Sequence, residues 1–373
     1  MHPNPDKLFR VRIMKRMIAG TAAALLAAVL LLPMKTYAVS AQKAYVLDTV
    51  SGRVLYEKNG SKRSLIASTT KIMTALVVCE QCNVLDRMRI PKEAVGIEGS
   101  SMYLREGEVL TLQELLYGLM LSSGNDAAVA LAIYCGGTVE GFAQMMNDKA
   151  HILGMHGTHF ENPNGLDSPG HYSTARDLAV LAAYAMENPI FLKTVSTKSV
   201  KVGERYLTNH NKLLWRVEGA DGVKTGYTQA AGRILVSSAS RNDRRIVAVT
   251  LDDPKDWDDH AALLEEGFSR YQMQRVLAKG TCVGFVEVVG GEACRTELLA
   301  AEDFAYALAP EEGTAWAVPG KGFVYAPAVA GADAGFAYVL VEGKAVGKVP
   351  LIYGKTVEQS PISEKNFCQK LFG

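Results

Sequence analysis

Arg233-Ile-Leu-Val-Ser-Ser-Ala-Ser240 and Arg245-Ile-Val-Ala-Val-Thr-Leu251, joined through Asn242-Asp243, are apolar runs on either side of a turn signal. They read as an antiparallel hairpin. Near the start of the same region, residues 43–47 and 53–56 make a second such pair around Asp48-Thr-Val-Ser-Gly52. A region that opens and closes with hairpins, and is helical between them, can place both in one antiparallel sheet. With helices on its faces that is an α+β architecture, not an alternating β-α-β one.

The helices announce themselves by their caps. Thr111-x-x-Glu114 is a capping box ahead of Leu112, Leu115, Leu116, Leu119 and Met120, an apolar stripe at helical spacing. Residues 69–79 are a further apolar helical run. After a turn at 122–125, residues 126–134 read as an Ala-rich buried helix stopped by Gly136-Gly137, and residues 139–153 as another. Thr174-x-x-Asp177 opens the next, which Pro189 forbids from extending. A helix over 263–278 closes the region. From 281 to about 355 the composition shifts to Val, Gly, Ala and Pro in short apolar runs, at 283–289, 323–326 and 337–341, which predicts a second, small all-β domain.

The chain of 373 residues, 48% hydrophobic and 21% charged, is that of an ordinary globular protein. Lys7, Arg10, Arg12, Lys15 and Arg16 precede an uncharged Ala- and Leu-rich run over 17–32, the pattern of a secretory signal. Thr36-Tyr-Ala38 and Val39-Ser-Ala41 both offer small residues for cleavage, so residues 1–38 are read as the signal peptide, with Gln42 as the other candidate start. Without residues 1–38 the chain holds 34 basic and 38 acidic side chains. That mildly acidic balance argues against nucleic acid as a partner. Cys79-x-x-Cys82 lacks a second pair at ligand spacing and reads as buried or paired structural cysteine; Cys282 and Cys294 are candidates for a disulfide. His151, His156 and His159 are close in sequence but lack the helical spacing of a zinc site and read as surface residues. No metal or other cofactor is expected.

Three short motifs carry chemistry. Ser68 and Lys71 stand one helical turn apart, so a base sits beside a hydroxyl that needs its proton removed. A helix start at Ser68 also aims backbone N–H groups at developing negative charge. The tetrapeptide alone is weak, since about one chance match is expected in such a chain. Ser40-x-x-Lys43 is such a match, lying before a strand with no helix behind it. Ser123-Gly-Asn125 between two helices supplies a second hydroxyl, able to relay a proton to a leaving amine, and an amide for a peptide carbonyl. Lys224-Thr225-Gly226, just before the 233–240 strand, offers a lysine and threonine for an anionic group such as a terminal carboxylate, and a glycine that leaves room for a substrate along the strand.

With those motifs in that order, the chain resembles the D-Ala-D-Ala carboxypeptidase family of low-mass penicillin-binding proteins, over nearly all of its length after residue 38. Residues 67–75, 121–126, 162–166 and 221–228 all look like that family's signature stretches; class A β-lactamases share the trio, with Asp at the position of Gly124. The resemblance implies a penicillin-binding/β-lactamase-like catalytic domain over 39–278, a β-rich domain over 279–357 and a short tail over 358–373. It implies an acyl-enzyme on Ser68, Lys71 as its base, and Ser123 with Asn125 in proton transfer and binding. Lys224, Thr225, Gly226 and Tyr227 would hold the substrate, the N–H groups of Ser68 and Tyr227 forming the oxyanion hole. Expected partners are peptidoglycan stem peptides ending in D-Ala-D-Ala, with β-lactam antibiotics as covalent inhibitors, on the extracytoplasmic, cell-wall side of a bacterial membrane.

Two departures stand out. Family members usually end in an amphipathic membrane helix, whereas residues 359–373 are short and only weakly patterned, consistent with weak association to a membrane surface. The arginine that supports the substrate carboxylate in some relatives has no evident counterpart: His210 and an acidic stretch over 252–259 containing only Lys255 stand there instead. Of the rival readings, a β-lactamase needs a glutamate-activated water, and no Glu-x-x-Leu-Asn segment appears. A catalytically silent wall-binding or antibiotic-sensing module is opposed by the intact Ser68, Lys71 and Lys224. D,D-endopeptidase action on crosslinked stems stays open.

Overall fold

The computed structural model describes residues 39–320 and 322–361. The expected signal peptide and most of the tail fall outside the described residues. The chain runs from β1 (Lys43–Asp48) into β2 (Val54–Lys58), paired antiparallel with Val46 opposite Tyr56. A 3-10 turn over Ala67–Thr70 leads straight into α1 (Lys71–Gln81), so the helix expected over 69–79 begins as a tighter turn around Ser68. A small ladder of β3 (Arg87–Arg89) and β4 (Val109–Thr111) delivers the chain to α2 (Leu112–Leu121). Its capping box is complete: Thr111 Oγ1 accepts from Glu114 N–H at 3.2 Å, and the Glu114 carboxylate accepts from Thr111 N–H at 2.7 Å.

Helices α3 (Asn125–Gly136), α4 (Val139–Ile152) and α5 (Ala175–Ala185) follow, the last capped by Thr174. Pro189 does stop α5, but it also opens α6 (Pro189–Ser196) under an Asn188 cap, because a ring without an N–H is tolerated in a first turn. A hairpin of β5 (Ser199–Val202) and β6 (Arg205–Thr208) and the short α7 (Leu213–Arg216) lead to β7 (Ala220–Thr228), β8 (Gly232–Arg241) and β9 (Arg244–Leu251). Both hairpins do enter one antiparallel sheet, in the order β2-β1-β9-β8-β7. Lys224-Thr-Gly lies inside edge strand β7 and not before a strand; the two glycines of 222–226 weaken the strand pattern that would have marked it.

The sheet has two covered faces. Val247, Val249 and Leu251 of β9 join the main core with Ile72, Leu76 and Leu119 of the helices. On the other face Ser237 and Thr250 bond the buried His260 of α8 (Asp256–Arg270), at 2.5 and 2.9 Å. The helix expected over 263–278 thus starts earlier, where Asp256, Asp258 and Asp259 suit a positive helix end. It stops at Arg270, and residues 272–277 are strand β10 (Gln272–Leu277).

The rest is β-structure: β11 (Cys282–Val289), β12 (Arg295–Ala300), β13 (Phe304–Leu308), β14 (Thr314–Ala317), β15 (Phe323–Tyr325), β16 (Asp333–Val341) and β17 (Lys344–Tyr353). β10 pairs with β13, and the others form a six-stranded sheet in the order β14-β16-β17-β12-β11-β15. Arg53 joins this β-rich region to the first sheet, donating to Ala307 O at 2.7 Å and pairing with Glu312 at 2.5 Å.

Cys79 and Cys82 are structural, as expected, but the candidate Cys282–Cys294 disulfide is absent. Cys82 is bonded to Cys135, Cα–Cα 6.6 Å, while Cys282 and Cys294 are free and exposed. They share a hairpin but not a register: Cys282 faces Leu299, whereas Cys294 bonds back to Val288, about 20 Å farther along the strand. Cys79 is free, and burial pushes its thiol up to about 12.

Candidate active site

The turn around Ser68, the start of α3 and the edge strand β7 meet in one cleft of about 340 Å³, lined by Ser68, Ser123, Thr225, Gly226 and Tyr227 among others. Lys71 is fully buried. Its Nζ contacts Ser68 Oγ at 2.9 Å, Asn125 Oδ1 at 2.7 Å and Asn164 O at 2.5 Å. Burial, followed by the charge of Lys224, holds its pKa well below the ordinary lysine value, with Asp126 opposing. Two of the three partners are pure acceptors: Asn164 O is a backbone carbonyl, and the amide of Asn125 is oriented by Nδ2 donating to Glu98 O at 2.6 Å. A neutral Lys71 amine gives both N–H groups to them, so its lone pair faces the Ser68 hydroxyl.

The second half of the cleft is also lysine-centred. Lys224 is buried, donates to Ser123 Oγ at 3.1 Å and to Thr225 O at 2.8 Å, and is lowered by burial to about 7. Ser123 sits at φ +60 between α2 and α3, a conformation uncommon for a residue with a side chain. The loop before it closes over α3: Ser100 O accepts from Asn125 N–H at 2.7 Å, and the buried Asp126 carboxylate takes Ser101 Oγ at 2.6 Å and the N–H groups of Met102 and Leu104. Gly226 is also tightly packed. A Cβ there would come within 3.2 Å of Ile66 O and 3.3 Å of Thr69, so a side chain would press β7 away from the turn around Ser68 by a few tenths of an ångström.

All eight site residues expected from the sequence are therefore gathered at one place: Ser68, Ser123, Thr225, Gly226 and Tyr227 on the cleft wall, Lys71, Asn125 and Lys224 bonded behind it. The decoy Ser40-x-x-Lys43 is elsewhere, Ser40 bonded to Asp253 and Asp259 and Lys43 to Ser64. His151, His156 and His159 are exposed. Sequence reasoning missed Asn164, whose carbonyl makes its contact, and Arg233, which faces Tyr227 across β7–β8 and is held by both Asp256 oxygens at 2.8 Å. Arg233, Lys212, His210 and Trp257 extend the cleft beyond Thr225; no local motif marks them, because they converge only once β8 and α8 are in place.

Comparison with known proteins decides the family. Residues 32–255 match the family model described as D-alanyl-D-alanine carboxypeptidase, and residues 271–359 that of the penicillin-binding protein 5 C-terminal domain. The chain belongs to the D-alanyl-D-alanine carboxypeptidase family. It is similar to the carboxypeptidase DacF of Bacillus subtilis, 35% identical over 275 residues, covering 70% of this chain and 71% of that one. It is also similar to DacB2 of Mycobacterium tuberculosis, 37% identical over 241 residues, covering 61% and 82%. Among solved structures, penicillin-binding protein 5 from Haemophilus influenzae superposes with a TM-score of 0.74 at 28% identity, over 87% of this chain and all of that one. The fold is thus the one the family shares, helices on an antiparallel sheet followed by an all-β domain, and this carboxypeptidase is a serine enzyme.

Proposed function

We propose that this carboxypeptidase removes the terminal D-alanine from peptidoglycan stem peptides through an ester on Ser68. The observation that carries it is the buried Lys71 amine, its pKa held well below the ordinary lysine value by burial, 2.9 Å from Ser68 Oγ. Ser68 Oγ adds to the carbonyl carbon of the penultimate D-alanine while its proton passes to Lys71 Nζ. The oxygen charge that forms is taken by the N–H groups of Ser68 and Tyr227. When the C–N bond breaks, Ser123 Oγ gives its proton to the leaving amine and takes one from Lys224 Nζ, 3.1 Å away. As water hydrolyses the ester, Lys71 Nζ returns its proton to Ser68 Oγ and Lys224, through Ser123, regains one from the attacking water. Arg233, aimed by Asp256, is the partner for the terminal carboxylate together with Thr225. Penicillins acylate the same oxygen. The sequence lacks the Glu-x-x-Leu-Asn segment whose glutamate would activate water against a penicilloyl ester.

The export pattern before residue 39 and the acidic balance after it support work outside the cytoplasmic membrane, with residues 39–278 as the catalytic region. The test is D-alanine release from a peptide ending in D-Ala-D-Ala by residues 39–373, beside Ser68→Ala and mass labelling with penicillin. Release lost in the variant, with one adduct on Ser68, supports the proposal. Labelling without release would point to crosslinked stems or to sensing, and the absence of both labelling and release would refute the proposal.

A further inference from the structure

The buried His171 takes no part in the steps above, yet it lies against the nucleophile's turn. Its Nδ1 accepts from Glu161 N–H at 3.0 Å, which puts the proton of the neutral ring on Nε2, 2.7 Å from Thr70 Oγ1. Thr70 Oγ1 takes that hydrogen bond and donates its own proton to Ala67 O at 2.9 Å. The hydrogen bonds therefore run one way, from the N–H of residue 161 to the C=O of residue 67. Burial lowers His171 to about 4, helped by His159 and Lys71 and opposed by Glu161 and Asp167, which keeps this direction intact at neutral pH.

Ala67, at the end of the relay, is held at φ +44, a conformation that a residue with a side chain keeps only when its surroundings impose it. Its carbonyl belongs to the same peptide unit as the Ser68 N–H. In a trans peptide the two point in opposite directions, so fixing one fixes the other. We propose that His171, acting through Thr70, is a positioning residue that aims and polarises the Ser68 backbone N–H toward the oxyanion. This rests on Ser68 being the acylated residue. The same ring also ties down the loop whose Pro163 and Asn164 carbonyls bond Thr74 at 2.6 Å and Lys71, so a merely structural latch is the competing account.

Thr70→Val separates the two, because it removes the relay hydroxyl and leaves His171 on Glu161. Acylation by benzylpenicillin is resolved into non-covalent affinity and acylation rate, and a boronic acid that forms a tetrahedral adduct on the serine probes the oxyanion directly. Thr70→Val should slow acylation about 10-fold and weaken the boronic acid by the same factor, with non-covalent affinity and melting temperature little changed. Thr70→Ser restores the hydroxyl. His171→Gln restores a donor and an acceptor, and both should recover to within about 3-fold. Thr70→Val acylating at the parent rate overturns the proposal, as does a loss that tracks the melting temperature or that Thr70→Ser fails to recover. Benzylpenicillin still bound covalently by Ser68→Ala would instead overturn the assignment of the nucleophile.

Discussion

The catalytic region and the β-rich region that follows solve burial differently. The first encloses a large apolar core on one face of its sheet and a further buried layer under α8 on the other, and hides Lys71, Lys224, His171 and His260 in or beside them. The second splits its apolar residues into small separate clusters, such as Leu277, Ala300, Val339 and Val349, and Thr296 is the buried polar side chain there among the described residues. Lowering a lysine's pKa by burial needs dense surroundings, and thin sheets with small clusters do not provide them. The proposed chemistry sits in the region that can withhold water.

That contrast can be broken most directly at its centre. Lys71→Ala should reduce penicillin acylation of Ser68 by about 10⁴-fold, read as adduct formation over time, since it takes away the proposed base. Next, Cys82→Ser with Cys135→Ser opens a loop spanning a sequence separation of 53. By loop entropy this should cost about 4 kcal/mol in denaturant unfolding of the catalytic region. Acid sharpens the difference. His171 and His260 titrate near 4 and 3 in the fold, below the free value of about 6.5, so the unfolded chain binds more protons and stability falls as pH drops from about 6.5 toward those values. At pH 5 each should have given up about 2 kcal/mol, seen as a falling unfolding midpoint, while the β-rich region melts with little change.

Smaller effects come from the margins. Arg233→Ala should raise KM for a peptide ending in D-Ala-D-Ala about 10-fold and leave the rate with an amidated terminus unchanged. Arg53→Ala, which removes the tie to Ala307 and Glu312, should cost about 1 kcal/mol and leave acylation untouched. A large activity loss in that variant would mean that the β-rich region tunes the cleft.

Much of the fold is legible in the residues themselves. Capping boxes and turn residues are local chemistry, so the helices after Thr111 and Thr174 and the two hairpins of the sheet can be read directly. What escapes such reading is non-local. β7 carries too much glycine to look like a strand, and only its place beside β8 makes it one. Residues 272–277 follow a helix with no breaker between them, and their strand is fixed by pairing with β13. Cys82 finds Cys135 because α1 and α3 pack together, a matter of tertiary structure. In the site, the motifs name every side chain with a motif position, and miss the groups that act through the main chain, Asn164 O and Ala67 O, because a carbonyl has no residue identity to recognise.

The Cys82–Cys135 bond joins the far ends of two helices whose near ends hold Lys71 and Asn125. Both helices work as the arms of tongs, riveted at the handle. The rivet forms only where thiols are oxidised, so in a reducing compartment the two arms would be held by their shared apolar packing alone.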